Sequence, residues 1–121
     1  MTSEEFVEAV RLYVVGRTAD AVLKSLAQPV GRSPRAELVR QSEWFNQRSP
    51  LEKQLIEGIV ADSVRFGVFQ LLCVIDGECL LEDGAIGGSF ELHYVRNGQR
   101  TRLNDPPRRV LHDLLNAEPR T

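Results

Sequence analysis

Cysteine, histidine and aspartate are the residue types of a nucleophile, a base and an orienting acid, and the chain has two cysteines and two histidines. Cys73, His112 and Asp113 would fill the three roles. However, apolar Leu72 and Val74 flank Cys73, and no motif known from cysteine enzymes surrounds it. A cysteine in an apolar helical stretch is typical of a small buried hydrophobe with a raised pKa. The pattern favours core packing, so we expect no enzyme.

Metal ligands and phosphate loops leave recognisable spacings, which this chain lacks. His93 and His112 would need Cys79 or a nearby carboxylate to complete a metal site, but no Cys-x-x-Cys or His-x-x-x-His repeat occurs. The glycine-rich stretch 84–89 would suit an anion, but no P-loop lysine follows it. We therefore predict neither a metal nor a cofactor, and interpret the stretch as a connecting loop.

Acidic side chains are concentrated in the middle of the chain. The net charge is −2, but Ser49 to Leu92 holds two basic against eight acidic residues. An acidic, glycine-rich segment presents charge without burying it and attracts a basic protein surface. The predicted partner-binding residues are Asp76, Glu78, Glu82, Asp83, Glu91 and His93. Solvated loop residues of no binding role would show the same pattern.

Arginines near the C-terminus raise the possibility of phosphate contacts. Acidic residues interrupt them, however, and the chain as a whole is not basic. Nucleic acid is therefore an unfavoured partner, and these arginines are expected to complement the acidic middle of the same molecule.

Three helices are predicted in the N-terminal part of the chain. Thr2 with Glu5 is a capping box that predicts a helix from residue 2 or 3 to about 28, with Gly16 as a soft point. Ser33-Pro34 predicts the start of a second, shorter helix, and Trp44 should pack at its end. A second capping box, Ser49 with Glu52, starts the third.

The third helix is the predicted core helix. Apolar residues recur in steps of four from Leu55 to Ile75, and from Phe66 onward every side is apolar. The second half should therefore run through the middle of the core, and Asp76-Gly77 should end it. An alternative places strands at Leu71–Ile75 and Cys79–Leu81 around the same Asp-Gly turn.

A β-hairpin and a short helix complete the predicted fold. Alternation from Phe90 to Val95, a turn at Asn97-Gly98 and a return strand at 100–103 predict the hairpin, with His93 on its exposed face. Asp105-Pro106-Pro107 should open a last helix with an apolar face of Val110, Leu111, Leu114 and Leu115. The fold class is α+β and mostly helical, as a single domain over residues 1–121.

The composition and the N-terminal residues indicate where in the cell the protein is expected. The 121 residues are 42% hydrophobic and 26% charged, as in an ordinary globular domain. Acidic residues stand where a signal peptide needs basic ones, and the longest apolar stretch, within Phe66–Ile75, is shorter than a membrane span. We expect a cytoplasmic protein with Cys73 and Cys79 as free thiols.

Six short segments in the last two thirds of the chain form a pattern: Trp44-Phe45, Ser49-Pro50, Val74–Gly77, Phe90–Leu92, Leu103–Asp105 and Leu111–Asn116. With these segments the chain resembles small bacterial proteins, some of which are immunity proteins encoded beside polymorphic toxins. The resemblance implies a protein that neutralises a toxin by covering its active surface. It implies no catalytic residue and does not identify the toxin.

Two other classes of function stay open. One is a small enzyme or ligand-binding domain that uses Cys73, His93 or His112 in a pocket. The other is a structural adaptor that self-associates through the edge of the hairpin. The oligomeric state is not determined by the sequence.

Overall fold

The computed structural model describes residues 1–79, 81, 88–105 and 110–117. The elements in this part of the chain are α1 (Ser3–Val10), a π-helical stretch (Arg11–Gly16), α2 (Arg17–Ala27), α3 (Ala36–Asn46), α4 (Pro50–Asp76), β1 (His93–Arg96), β2 (Gln99–Arg102) and α5 (Leu111–Asn116). The α+β, mostly helical class is confirmed.

The chain divides into two compact units. The first unit comprises Met1–Leu12 and Phe66–Thr121, and the second unit comprises Tyr13–Arg65. Each unit is described by itself below. The single domain over residues 1–121 stays a prediction.

The N-terminal helical segment begins where the sequence predicts. The Thr2 hydroxyl accepts a hydrogen bond from the Glu5 N–H at 3.1 Å, and α1 begins at Ser3. The chain stays helical to Ala27, but six residues adopt the wider π-helical winding, which ends at Gly16. The predicted soft point at Gly16 therefore lies at a change of helix type, consistent with the low helix propensity of glycine.

The predicted start of the second helix is wrong by two residues. Ser33-Pro34 does not cap α3, which begins at Ala36 after Arg35 in an extended conformation. No side-chain hydrogen bond caps this helix. Proline disfavours helical backbone in the residue before it, so Ser33 stays outside the helix, and the extended Arg35 separates the proline from the first turn.

Trp44, predicted to pack at the end of the second helix, is exposed on α3 instead. The Arg48 guanidinium lies over its indole ring, 4.6 Å from the centroid. The indole is therefore covered in part by a cation from the same segment, in a cation–π contact.

Both ends of α4 follow from local sequence. At its start the Ser49 N–H donates to a Glu52 carboxylate oxygen at 2.8 Å and the Glu52 N–H donates to the Ser49 hydroxyl at 3.1 Å, which confirms the capping box. The bond from the Ser49 N–H, together with a hydrogen bond from the Ser49 side chain, stabilises the ionised carboxylate and lowers the pKa of Glu52.

At its end α4 stops in a Schellman motif. Gly77 takes φ of +84°, its N–H donates to the Val74 carbonyl, and the Glu78 N–H donates to the Cys73 carbonyl. Helix therefore continues through Leu71–Ile75 to Asp76, and the alternative hairpin around Asp76-Gly77 is wrong.

The core of the first unit lies between α1, α4 and α5. Val7, Leu72, Leu111 and Leu115 are buried against one another. This confirms the buried face of the last helix for Leu111 and Leu115. Helix α5 begins at Leu111, while the predicted opening at Pro106-Pro107 lies outside the described residues.

Only one face of the second half of α4 is buried. Leu72 and Cys73 are inside, but Phe66 and Leu71 are exposed. The prediction that this half runs through the middle of the core is therefore wrong for those two side chains. Their apolar character alone did not determine burial, because the described residues cover the helix on one side only.

The hairpin forms with the predicted turn. Asn97 and Gly98 both have positive φ, as a type I′ turn requires, and His93 pairs with Arg102 across the strands. β1 begins at His93, three residues later than the alternation at Phe90 predicts.

By length and composition, α4 is the one helix among the described residues that could cross a membrane. A core helix of a soluble protein meets the same criterion.

Candidate functional site

Asn104 joins three segments of the first unit through its side-chain amide. Its NH₂ group donates to the carbonyls of Ile75 at 2.9 Å and Phe90 at 2.8 Å. Its carbonyl oxygen accepts from the Leu92 N–H at 2.7 Å. The side chain is buried, and it satisfies three part-buried backbone groups.

This clamp determines where two predicted binding residues lie. The Ile75 and Phe90 carbonyls share one amide group, so the end of α4 and the approach to β1 run side by side. Glu78 follows Ile75 after the Schellman turn, and Glu91 follows Phe90. Glu78, Phe90 and Glu91 are all exposed. We call these three residues the acidic end of the first unit.

The Glu91 carboxylate has a guanidinium and an imidazole as neighbours. The Arg102 guanidinium and the His93 Nε2 atom each lie 3.4 Å from the same Glu91 oxygen. His93, predicted on the exposed face of the hairpin, is half-buried, and its Nδ1 atom has no hydrogen-bond partner among the described residues. The pairing orients Glu91 while leaving its side chain largely exposed.

Asp76 does not belong to a partner-binding surface, which corrects the prediction. Only 4% of its side chain is exposed, and one carboxylate oxygen accepts from both the backbone N–H of His112 at 2.9 Å and its Nδ1 at 2.8 Å. Because α5 lacks a side-chain cap at Val110, this carboxylate supplies an acceptor at the start of α5. Glu82 and Asp83 lie outside the described residues.

Asp76 and His112 form the acid–base pair of many hydrolases, but without a nucleophile. A carboxylate on Nδ1 leaves Nε2 as the base. The Nε2 atom lies 3.5 Å from an Asp113 oxygen, and no hydroxyl or thiol of the described residues hydrogen-bonds to it. The ring of Phe69 packs edge-on against the imidazole. The pair therefore ties α4 to α5.

Cys73 has the environment of a structural thiol. It is buried, and this burial, reinforced by the neighbouring Cys79, raises the pKa of the Cys73 thiol. The half-buried Cys79 thiol lies 3.8 Å from the Gln70 side-chain oxygen. At neutral pH Cys73 is protonated, which makes it a poor nucleophile.

Neither a metal-binding group of the described residues nor the groove of the second unit includes these side chains. Among the described residues no group of three or more His, Cys, Asp or Glu side chains could hold a metal ion. An open groove of about 520 Å³ lies between α2 and α3 in the second unit. It is lined by apolar residues such as Val22 and Leu38 with Arg17 and Arg35, and none of the predicted site residues line it.

Sequence analysis missed three residues that hold the first unit together. They are Asn104, Ser3, whose hydroxyl donates to the Leu103 carbonyl at 2.6 Å, and Arg11, whose guanidinium donates to the carbonyls of Leu114, Leu115 and Ala117. Their partners lie far away along the chain, so no local pattern marks them. The one sequence feature that could have drawn attention to Asn104 was its place in Leu103-Asn104-Asp105, a segment that contributes to the resemblance.

Comparison of the chain with protein-family models, with curated proteins and with solved structures gave no match. The resemblance to immunity proteins therefore stays a prediction.

Proposed function

We propose that this protein is a binding module that recognises another protein through the acidic end of its first unit. In the more specific form of the proposal, it is an immunity protein that covers the active surface of a bacterial toxin. In both the general and the specific version of the proposal, the partner presents basic side chains around an apolar patch. Such a surface complements Glu78, Phe90 and Glu91.

The observation that carries the proposal is the Asn104 clamp beneath this surface. Binding costs less free energy when the contact residues are already ordered. The amide of Asn104 orders the backbone of Phe90 and Leu92 against α4, and Arg102 and His93 orient the Glu91 carboxylate. An exposed aromatic side chain beside carboxylates suits an interface that combines an apolar centre with a charged rim.

The expected location follows from this proposal. A protein that neutralises an intracellular toxin works in the cytoplasm, where Cys73 and Cys79 stay reduced. Both cysteines are free thiols.

An enzyme is the second candidate, favoured by one observation only. The contact of Asp76 with His112 orients an imidazole as a general base. The described residues supply no nucleophile at its Nε2 atom, so the substrate or a water molecule would have to react there. Among the described residues, neither Cys73 nor His93, which the same hypothesis names, hydrogen-bonds to the side chain of Asp76 or His112.

The affinity of a captured partner for charge-reversed variants tests the proposed surface. The double variant Glu78→Lys and Glu91→Lys removes both carboxylates and adds two cations. We expect its Kd at low salt to rise by about 10-fold or more, with a weaker dependence on ionic strength than the unaltered chain shows.

Glu43→Lys is the matched control, because Glu43 is an exposed carboxylate on α3 in the other unit. Its Kd should stay within about 2-fold of the original value. The control changes the net charge by half as much as the double variant, so a loss of binding free energy half as large in the control would mean that only net charge matters. An unchanged Kd in the double variant would remove the acidic end from the binding surface.

A further inference from the structure

The groove between α2 and α3 belongs wholly to the second unit, whose residues 13–65 are all described. Its volume is about 520 Å³, and sites for small molecules range from roughly 300 to 1,000 Å³. The half-buried Leu26 and Leu38 and the exposed Val22 provide its apolar lining. The groove therefore has the volume and the apolar lining of a site for a small molecule.

The two helices of the groove are joined at one end. The Asn46 side-chain amide donates to the Ala27 carbonyl at 3.0 Å, and these are the last residues of α3 and α2. Arg17 is the first residue of α2 and Arg35 immediately precedes α3, so each lies at the opposite end of its helix. Both arginines line the groove. We call Arg17 and Arg35 the cationic end of the groove.

No negative charge balances the cationic end. Among the described residues that line the groove, none is acidic. Neither arginine forms an ion pair with a carboxylate of the described residues. The Arg17 guanidinium lies over the Tyr13 ring, 4.3 Å from its centroid, a contact that orders the group and leaves its charge in place. Since guanidinium groups pair with carboxylates in a two-pronged geometry, the cationic end complements a carboxylate.

We propose that this groove binds the anion of a free medium-chain fatty acid. The carboxylate pairs with Arg17 and Arg35, and the acyl chain lies along Val22, Leu26 and Leu38. From Arg17 to Leu26 the groove follows α2 for about 14 Å, at roughly 1.5 Å per residue. An extended chain of about ten carbons has a similar length.

Other ligands match only one part of the groove. A neutral apolar molecule would cover the guanidinium groups without replacing their hydrogen bonds to water, which costs free energy. A small anion such as phosphate would leave the apolar lining in contact with water. A nucleobase stacks on aromatic side chains, and no aromatic residue of the described part of the chain lines the groove. A linear chain with a terminal carboxylate matches both parts.

An anionic membrane surface is also a poorer match than a free fatty acid. Such a surface attracts segments rich in lysine and arginine. The two helices of the groove also carry the exposed carboxylates of Asp20 and Glu37, which a membrane surface of the same sign would repel. A single ligand inside the groove does not meet these carboxylates, because they do not line it.

The inference is independent of the proposed binding function. The acidic end belongs to the first unit, whereas the groove belongs to the second. Loss of fatty-acid binding and loss of partner binding can therefore be measured separately, with different variants.

NMR titration of the intact, isotope-labelled chain with sodium decanoate tests the inference. At about pH 7.5 the ligand is ionised. We expect saturable shifts of the methyl signals of Val22, Leu26 and Leu38, with a Kd on the order of 100 µM. The methyl signals of Leu51 and Leu55, which are exposed on α4 and do not line the groove, should stay in place.

Two further ligands separate the contribution of the charge from that of the chain. 1-Decanol has a chain of the same length without the carboxylate, and butyrate has the carboxylate on a short chain. Each should bind about 10-fold more weakly than decanoate or not at all, because each matches only one part of the groove.

Single substitutions test the cationic end. Arg17→Gln and Arg35→Gln should each raise the Kd for decanoate by about 5-fold or more, because one charge-assisted pair is lost. Arg32→Gln is the matched control, since Arg32 is exposed in the same unit, does not line the groove and loses the same charge. Its Kd should stay within about 2-fold of the original value.

Three results would overturn the inference. The first is the absence of saturable shifts with decanoate; if vesicles of phosphatidylglycerol or an acidic, leucine-rich peptide then shift the same methyl signals, the groove takes a membrane or a protein segment instead. The second is a Kd that 1-decanol shares or that Arg17→Gln and Arg35→Gln leave unchanged. The third is an equal shift of the Leu51 and Leu55 signals, which would mean that decanoate coats exposed apolar side chains without using the groove.

Discussion

Single side chains with distant partners hold the first unit in shape. Asn104 bonds to backbone groups of Ile75, Phe90 and Leu92, and Asp76 bonds to His112. The sequence predicted Asp76 as a surface residue because charge on a loop is usually solvated. It could not show that a histidine 36 positions later would take up this carboxylate. A carboxylate is buried where a partner is available, and that depends on the fold.

Asn104→Ala should destabilise the protein strongly. The substitution leaves three part-buried backbone groups without their hydrogen-bond partner, and we expect a loss of about 3 kcal/mol in the free energy of unfolding. Equilibrium unfolding in urea measures it. Asn46→Ala is the control, because Asn46 is an exposed residue whose amide donates to the Ala27 carbonyl at 3.0 Å, and it should cost less than about 1 kcal/mol. A loss as small for Asn104 as for Asn46 would show that the clamp is not important for stability.

Cys73 should react with iodoacetamide more slowly than Cys79, by about 10-fold or more at pH 8. Burial restricts access to Cys73 and raises its pKa above the ordinary value, so less thiolate is present at any pH below that pKa. The reaction of Cys73 should therefore accelerate only at more alkaline pH. Mass spectrometry of alkylated peptides separates the sites, and Cys73→Ser isolates Cys79. A Cys73 that reacts as fast as Cys79 would favour the enzyme hypothesis.

At the scale of secondary structure, the sequence predicted the start of a helix correctly where two nearby residues hydrogen-bond to each other at that start. Ser49 and Glu52 form both bonds of a capping box, and at Thr2 the hydroxyl accepts a hydrogen bond from the Glu5 N–H; such bonds supply the first turn irrespective of the remaining fold. Ser33 is not followed three residues later by a glutamate or glutamine that could complete a capping box, and α3 begins at Ala36 instead of Pro34. The apolar pattern of α4 predicted the helix but not its burial, since burial requires a neighbour on each side.

Ser49→Ala should destabilise the protein by about 1 kcal/mol, because the Glu52 N–H loses its hydrogen-bond acceptor at the start of α4. Ser33→Ala is the matched control and should be nearly neutral, since no side chain caps α3. Thermal unfolding of both variants at pH 7 compares them. Comparable losses at the two serines would contradict the assignment of the caps.

The stability that Glu52 contributes through this capping box should depend on pH. Because the folded state lowers the pKa of Glu52, its contribution is present above the ordinary carboxyl pKa of 4.5 and is lost as the pH falls through the lower folded value. The difference in stability between the unaltered chain and Glu52→Gln should therefore shrink in acid.

At the scale of the whole molecule, the sequence predicted an acidic middle but not how the fold divides it. The Asp76 side chain is turned inward, whereas Glu78 and Glu91 are exposed on two segments that Asn104 joins. The α+β class followed from the order of the elements. The exposure of Leu51, Leu55 and Ile59 on α4 could not be predicted, because the same spacing is expected of a buried helix.

Capture of partners from cells that make this protein tests the central claim most directly. The tagged chain and its Glu78→Lys, Glu91→Lys double variant are incubated with the same extract in moderate salt, and bound proteins are quantified by mass spectrometry. The account predicts one stoichiometric partner with a basic surface, retained by the unaltered chain and by Glu43→Lys but depleted about 10-fold or more from the double variant. Recovery of the same partner in equal amounts on all three chains would contradict binding through the acidic end.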